Sequence, residues 1–283
     1  MKIGFNLLLW TGHVTERHLP LLRDIKRTGY DGVEIPVFEG APDHYARLGE
    51  ALDNIGLERT VVIIMPSLDK NPLSGDSQTR KAAADHAKWF IDCSQALGAT
   101  LIGGPIHSVH GHFSGAGPTI AERKRGIAFH RRAGEYAGKK GIRLALEALN
   151  RFECYFLTTM EGLADYLDDV DHPAVSGMYD TFHANIEEAD PIKAIKTIRR
   201  HMSHVHISEN DRGIPGAGHI DWARTYRALR ASKYDGWLTI EAFGRSLPAL
   251  AAATRVWRDF FPSPESVYRQ GIRNIRKGWA GAG

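Results

Sequence analysis

Glu147, Asp180, His206 and Glu241 each stand at the end of a short apolar or β-branched run: Leu144-Ala145-Leu146-Glu147, Val175-Ser176-Gly177-Met178-Tyr179-Asp180, His204-Val205-His206 and Trp237-Leu238-Thr239-Ile240-Glu241. The four are separated by 33, 26 and 35 residues, about one strand-helix unit each, so closing such units into a parallel barrel brings all four to one rim. A lone Glu after a strand is ordinarily a solvated loop residue or a salt-bridge partner. Four in consecutive units point instead to a metal site, because carboxylates this close repel one another unless a cation holds them. An oxygen-rich donor set with a single imidazole suits Mn²⁺, Mg²⁺ or Co²⁺ better than a metal that prefers thiolates.

The elements that must position these residues follow a strand-helix alternation. Strands are expected over 3–8, 32–35, 59–64, 100–103, 143–147, 175–179, 204–207 and 237–241. Helices are expected over 16–28, 44–55, 79–97, 120–140, 159–168, 191–201, 221–232 and 248–260, with one further helix over 265–277 and a frayed end at 280–283. Gly29, Gly56, Gly98 and Gly141 mark helix exits, where a left-handed backbone is needed. Eight such units in 283 residues make one (β/α)₈ barrel, a single domain over 1–283, with no linker to divide it. The net charge of +3 and the interspersed acids and bases give no concentrated basic footprint for nucleic acid. Cys93 and Cys154 form no Cys-x-x-Cys pair, which fits a reducing cytoplasm without a disulfide framework or a thiolate zinc site. The opening Met1–Trp10 reads as a buried strand rather than a secretory leader, and no apolar run approaches the roughly 20 residues that cross a bilayer.

Three segments carry a more specific likeness: Glu147-Ala148-Leu149-Asn150-Arg151-Phe152-Glu153, Asp180-Thr181-Phe182-His183-Ala184-Asn185-Ile186-Glu187-Glu188, and His206-Ile207-Ser208-Glu209-Asn210-Asp211-Arg212-Gly213-Ile214-Pro215-Gly216-Ala217-Gly218. They resemble the signature loops of the ketose 3-epimerases, a family that includes the D-tagatose, D-psicose and L-ribulose enzymes within the xylose-isomerase-like TIM barrels. The match covers the second half of the chain in order and spacing, and the first half agrees only in barrel pattern. The resemblance implies that Glu147, Asp180, His206 and Glu241 hold one divalent ion, usually Mn²⁺ in this family. It also implies that Glu153, His183 and Arg212 bind the O1/O2 end of a free ketose, and that the chain assembles as a homodimer or homotetramer.

Epimerisation at C3 of a 2-ketose removes an acidified proton and returns one to the opposite face of the same carbon. A cation polarises the carbonyl and stabilises a cis-enediolate, and Glu147 and Glu241 on either side exchange the roles of base and acid. An L-ribulose or D-tagatose type of sugar is the expected substrate. The alternatives are another metal-dependent sugar enzyme of this fold, such as a hydroxypyruvate isomerase or an inosose dehydratase, and a catalytically inactive sugar-binding protein. His107, His110 and His112 read as a loop that shapes the pocket or a subunit interface rather than a second metal site. The Gly213–Gly218 stretch lacks the Lys-Ser/Thr of a phosphate loop and reads as a substrate loop that carries Arg212. Phe5, Trp10, Met65 and Ile106 are candidates for the distal wall of the pocket or for ordinary packing.

Overall fold

Side chains along a strand alternate between two surfaces, and here the alternation separates a barrel interior from a layer under the helices. In the computed structural model, which describes residues 1–282, eight strands pair in sequence order as a closed parallel barrel. They are β1 (Lys2–Asn6), β2 (Gly32–Pro36), β3 (Glu58–Val62), β4 (Leu101–Gly104), β5 (Arg143–Glu147), β6 (Val175–Asp180), β7 (Met202–Ile207) and β8 (Trp237–Ile240), and β8 pairs back onto β1. Outward residues such as Ile3, Val33, Val61, Leu144, Leu146, Val205 and Leu238 join the main hydrophobic cluster with the helices. Inside the barrel, Leu101, Ala145 and Met178 form a separate small cluster. Glycine is required on this inner surface. A Cβ on Gly32 would lie 2.6 Å from the Trp237 ring and 2.5 Å from the Glu58 carbonyl oxygen.

The helices are α1 (Leu19–Thr28), α2 (Pro42–Ile55), α3 (Ser77–Leu97), α4 (Ile120–Lys139), α5 (Met160–Val170), α6 (Thr181–Glu187), α7 (Pro191–Ile198), α8 (Trp222–Ala231), α9 (Pro248–Thr254) and α10 (Pro264–Ala280). Thr119 and Glu122 cap α4 reciprocally, which satisfies donors that a helix start otherwise leaves free. Gly29, Gly56 and Gly98 close α1, α2 and α3 with positive φ. Gly141, with φ 70°, follows α4.

All eight expected strands form, with ends at most two residues from those expected. Helix α6 is an addition to the expected set. It starts because Asp180, the last residue of β6, accepts hydrogen bonds at Oδ1 from the main-chain N–H of Phe182 (2.6 Å) and of His183 (3.1 Å). Helix α9 is shorter than expected because Arg255 turns left-handed, with φ 60°. The C-terminal helix α10 reaches Ala280 and packs on β1, β8 and α8, and of the tail expected to fray, Gly283 lies outside the described residues. No helix among the described residues is long and apolar enough to cross a membrane.

His130 on α4 is fully buried against the Tyr166 hydroxyl and the Gly126 carbonyl. Burial drives its pKa down to about 4, although the carbonyls of Gly126 and Ile106 oppose the shift. An unfolded chain holds histidine near 6.5, so between these values the unfolded state takes up a proton that the folded state refuses. Stability is therefore full above about pH 6.5 and falls as pH drops toward 4, by about 3 kcal/mol over the window. Urea unfolding at pH 7 and pH 4.5 measures this. The loss in acid should be smaller in His130→Gln than in the native chain, and equal losses would refute the assignment.

Candidate metal centre and active site

Alternation along each strand carries four polar side chains inward at the carboxyl end of the barrel. Glu147 and Asp180 end β5 and β6, His206 is the penultimate residue of β7, and Glu241 directly follows β8. One ligand atom from each lies within 4.8 Å of the others, and all four residues are at least nine-tenths buried. His206 Nδ1 is 3.7 Å from Glu147 Oε1, 3.4 Å from Asp180 Oδ2 and 3.4 Å from Glu241 Oε1. Neither His206 Nδ1 nor Glu147 Oε1 has a hydrogen-bond partner, and buried polar atoms rarely stay unpaired. Donors about 2.1 Å from one shared cation stand about 3.0–3.4 Å apart. These residues therefore fit a single divalent ion in both donor type and spacing.

Burial raises the Glu147 pKa well above the usual carboxylate range, with the charges of Glu241 and Asp180 adding to the shift and His206 opposing it. Burial alone would lower His206, but Glu241, Glu34 and Asp180 raise it well above an ordinary imidazole. Asp180 goes the other way. Despite its burial, the charges of Arg212 and His183 and contact with His206 hold it ionised.

The structure brings Glu153, His183 and Arg212 to the same rim. Arg212 has φ 63°, and its guanidinium stacks between the rings of Phe182 (3.9 Å) and Phe243 (4.8 Å). Its Nη1 donates to Asp180 Oδ2 (3.2 Å), Ser208 Oγ (3.0 Å) and Glu241. His183 Nδ1 faces the main-chain N–H of Asn150 at 3.0 Å, and Nε2 faces Arg212 Nη2 at 3.0 Å. A neutral imidazole has one acceptor nitrogen, so this arrangement carries one N–H too many, with Glu147 Oε1 3.6 Å from His183 Nε2. Glu153 Oε2 contacts His110 Nε2 at 3.0 Å, and Glu153 Oε1 accepts from Asn150 Nδ2 at 2.8 Å. Burial would raise Glu153, yet His110, His183 and Arg212 hold it down to about 2.

The histidine-rich loop after β4 meets the end of β5 and the segment that follows it. His107 Nε2 donates to the Glu147 carbonyl at 2.8 Å, and burial lowers His107 to about 3, so it stays neutral. Among the described residues, no cluster with metal-ligating spacing includes His107, His110 or His112. The glycine-rich loop after β7 is folded onto Glu209, which accepts from the N–H groups of Gly216 (2.8 Å) and Ile220 (3.1 Å) and from Trp222 Nε1 (2.9 Å). Phe5 belongs to the packing layer, against Trp10, Tyr30 and Tyr268, rather than to a pocket wall.

Sequence reasoning passed over Asn6, Glu34 and Thr60, which lie behind the four ligands. Asn6 Nδ2 donates to Glu34 Oε2 (2.9 Å) and Glu241 Oε1 (3.1 Å). One signal was present, since Glu34 interrupts the apolar strand Val33-Glu34-Ile35, and a charge inside a fully buried parallel strand needs a partner. Phe182 and Phe243 were legible only as apolar residues.

The family described as "Xylose isomerase-like TIM barrel" matches residues 22–278. A Synechocystis sp. protein named "Probable ketose 3-epimerase" is 30% identical over 277 residues, spanning 98% of this chain and 96% of its own. The D-psicose 3-epimerase of Agrobacterium fabrum is 30% identical, over 92% of this chain and 91% of its own. A solved L-ribulose 3-epimerase structure superposes with a TM-score of 0.94 at 27% identity, covering 99% of this chain and 95% of that one.

The upward shifts of Glu147 and His206 favour their protonated forms, and a cation bound there would compete with those protons. Binding of Mn²⁺ should release protons near neutral pH and weaken as pH falls, up to about tenfold per pH unit for each displaced proton. Calorimetric titrations in two buffers of different ionisation enthalpy measure the release. Binding with no proton release would contradict the raised pKa values of Glu147 and His206.

Proposed function

The chain belongs to the xylose isomerase-like TIM barrel family and, within it, to the ketose 3-epimerases, and from that premise we propose that it epimerises free ketoses at C3, with sugars of the L-ribulose or D-tagatose type as substrates. Glu147, Asp180, His206 and Glu241 would hold one divalent ion, which we take to be Mn²⁺. When bound, the ion polarises the sugar carbonyl and offsets negative charge on the oxygens next to the reacting carbon.

The observation that carries this reading is the placement of two carboxylates from non-adjacent strands. Glu147 at the end of β5 and Glu241 after β8 stand three strand positions apart in the closed ring, yet both have an oxygen within 3.7 Å of the same imidazole nitrogen. A sugar carbon between them meets a carboxylate on each face, as proton removal from one face and return to the other require. In one direction Glu147 takes the C3 proton and Glu241 supplies one, and in the other direction the roles reverse. The cis-enediolate formed in between places its charge near Arg212, whose guanidinium is already fixed by two aromatic rings. We assign the O1/O2 end of the sugar to Glu153, His183 and Arg212, supported by the surplus N–H between His183 and Arg212.

The glycine-rich loop supports a free sugar over a sugar phosphate. Its Gly216 and Ile220 N–H groups are committed to Glu209, so they cannot cradle a phosphate as a glycine loop does. Free, buried Cys93 and Cys154 fit a cytoplasmic setting. Exposed Leu68, Phe113 and Phe152, on segments that follow the carboxyl ends of β3, β4 and β5, support self-association as a dimer or tetramer.

In D₂O, the Mn²⁺-loaded protein should place deuterium at C3 of the preferred ketose while the C3 epimer forms. Glu147→Gln and Glu241→Gln should each lower exchange about 10²–10⁴-fold, the range for a lost general acid or base, and proton NMR follows both signals. Label at C1 with an aldose product would assign the protein to the isomerases, and loss of water to the dehydratases. Sugar binding without any exchange would leave a binding protein.

A further inference from the structure

Glu34 is fully buried in the barrel interior, on a strand that delivers none of the four proposed metal ligands. Its carboxylate is surrounded by donors. Asn6 Nδ2 lies 2.9 Å and His206 Nε2 2.8 Å from Oε2, Thr60 Oγ1 donates to Oε1 at 3.0 Å, and His204 Nε2 lies 2.8 Å from Oε1. A carboxylate is the one side-chain end that meets donors on both oxygens without offering any in return. An amide with its NH₂ at the Oε2 position would face two donors, Asn6 Nδ2 and His206 Nε2, and with its NH₂ at the Oε1 position it could no longer accept from Thr60 Oγ1. The bond to Glu34 holds the His206 proton on Nε2 and leaves Nδ1, the atom that faces Glu147, Asp180 and Glu241, free to bind a cation. Through Asn6, which also donates to Glu241 Oε1, the same carboxylate reaches one of the two proposed acid/base residues.

We infer that Glu34 is a positioning residue for the metal centre: from β2 it fixes the tautomer and ring orientation of His206 and, through Asn6, the rotamer of Glu241. Glu34, His204 and His206 also have the spacing of a metal cluster. Both Glu34 oxygens, however, already accept N–H or O–H donors, and all three residues are sealed from solvent. The trio therefore orients the site and holds no second cation. A partner that orients a metal-bound histidine typically contributes 10–100-fold to metal affinity.

The inference rests on the four-ligand reading of the site, and its test is metal binding, independent of any sugar chemistry. Metal-free native protein, Glu34→Gln and Glu34→Asp are titrated calorimetrically with Mn²⁺, and circular dichroism with a thermal melt checks the fold of each. Native protein is expected to bind one Mn²⁺ per chain. E34Q should bind one ion about 10–100-fold more weakly while remaining folded, and E34D, which keeps the charge, should recover part of the loss. Unchanged affinity in folded E34Q overturns the inference and leaves the metal site standing. Two ions per native chain, reduced to one in E34Q, would make Glu34 a ligand and also overturn it. A native chain that binds no Mn²⁺ removes the four-ligand site and the inference together. A second readout does not depend on the variants folding: ¹⁵N-histidine NMR of native protein loaded with diamagnetic Mg²⁺. His206 should carry its proton on Nε2, and a proton on Nδ1 would refute the inference.

Discussion

Repulsion among like charges in a barrel mouth with little water is the constraint on which the rest of the arrangement depends. Two unit charges 4 Å apart interact by about 4 kcal/mol at an effective dielectric constant of 20, and Glu34, Glu147, Asp180 and Glu241 all point into this volume. The fold gives most of them fixed donors. Asp180 directs one oxygen to the start of α6 and the other to Arg212, Glu241 meets Asn6 and Arg212, and Glu34 meets Asn6, Thr60 and His206. Glu147 is left with an oxygen that has no donor, and it is the carboxylate whose pKa is pushed up. The two proposed acid/base residues therefore meet the cation and substrate under unequal conditions. Glu241 is held from two sides before anything binds, whereas Glu147 would gain its missing partner with the proposed ion.

The parts of this design legible in the sequence are those that repeat. Apolar runs recur once per strand-helix unit, and over β5–β8 each ends on or next to an acid or imidazole, so the strand count, the barrel and the cluster of Glu147, Asp180, His206 and Glu241 follow from periodicity and spacing. Glu34 escaped notice because it sits in the middle of a strand, where its partners come from β1, β3 and β7 and share no spacing with it. Helix α6 escaped because its start depends on Asp180, which reads in the sequence only as the end of a strand. Phe5 looks the same on paper whether it faces a pocket or a helix. The register of β1 against β2 and β8 sends it outward, under Tyr30 and Tyr268.

Arg212 shows how a loop can be made rigid enough to take part in a site. A non-glycine residue at positive φ is disfavoured and persists only where its surroundings over-determine it. Here Glu209 gathers the loop around one buried carboxylate, while Phe182 and Phe243 sandwich the guanidinium. A fixed positive group needs little reorganisation when charge develops beside it. The same Glu209 takes up the N–H groups of Gly216 and Ile220, so the anchor that orders the loop carrying Arg212 also occupies donors a phosphate cradle would need.

The two halves of the chain thus divide the site between them. Strands β5–β8 and the loops that follow them carry every charged group assigned to the ion or to the O1/O2 end of the sugar. The first half supplies the support behind them, Asn6, Glu34 and Thr60, together with the loop after β4, whose His107 holds the Glu147 carbonyl and whose His110 meets Glu153. That loop is the one place where the first half reaches a proposed sugar contact directly. The proposed chemistry at C2 and C3 rests on residues at strand ends, so a preference for one ketose over another would come from rim positions that do not touch the proposed ion. His110 is in that position: it meets Glu153, a proposed sugar contact, and a change there would leave the proposed metal ligands in place.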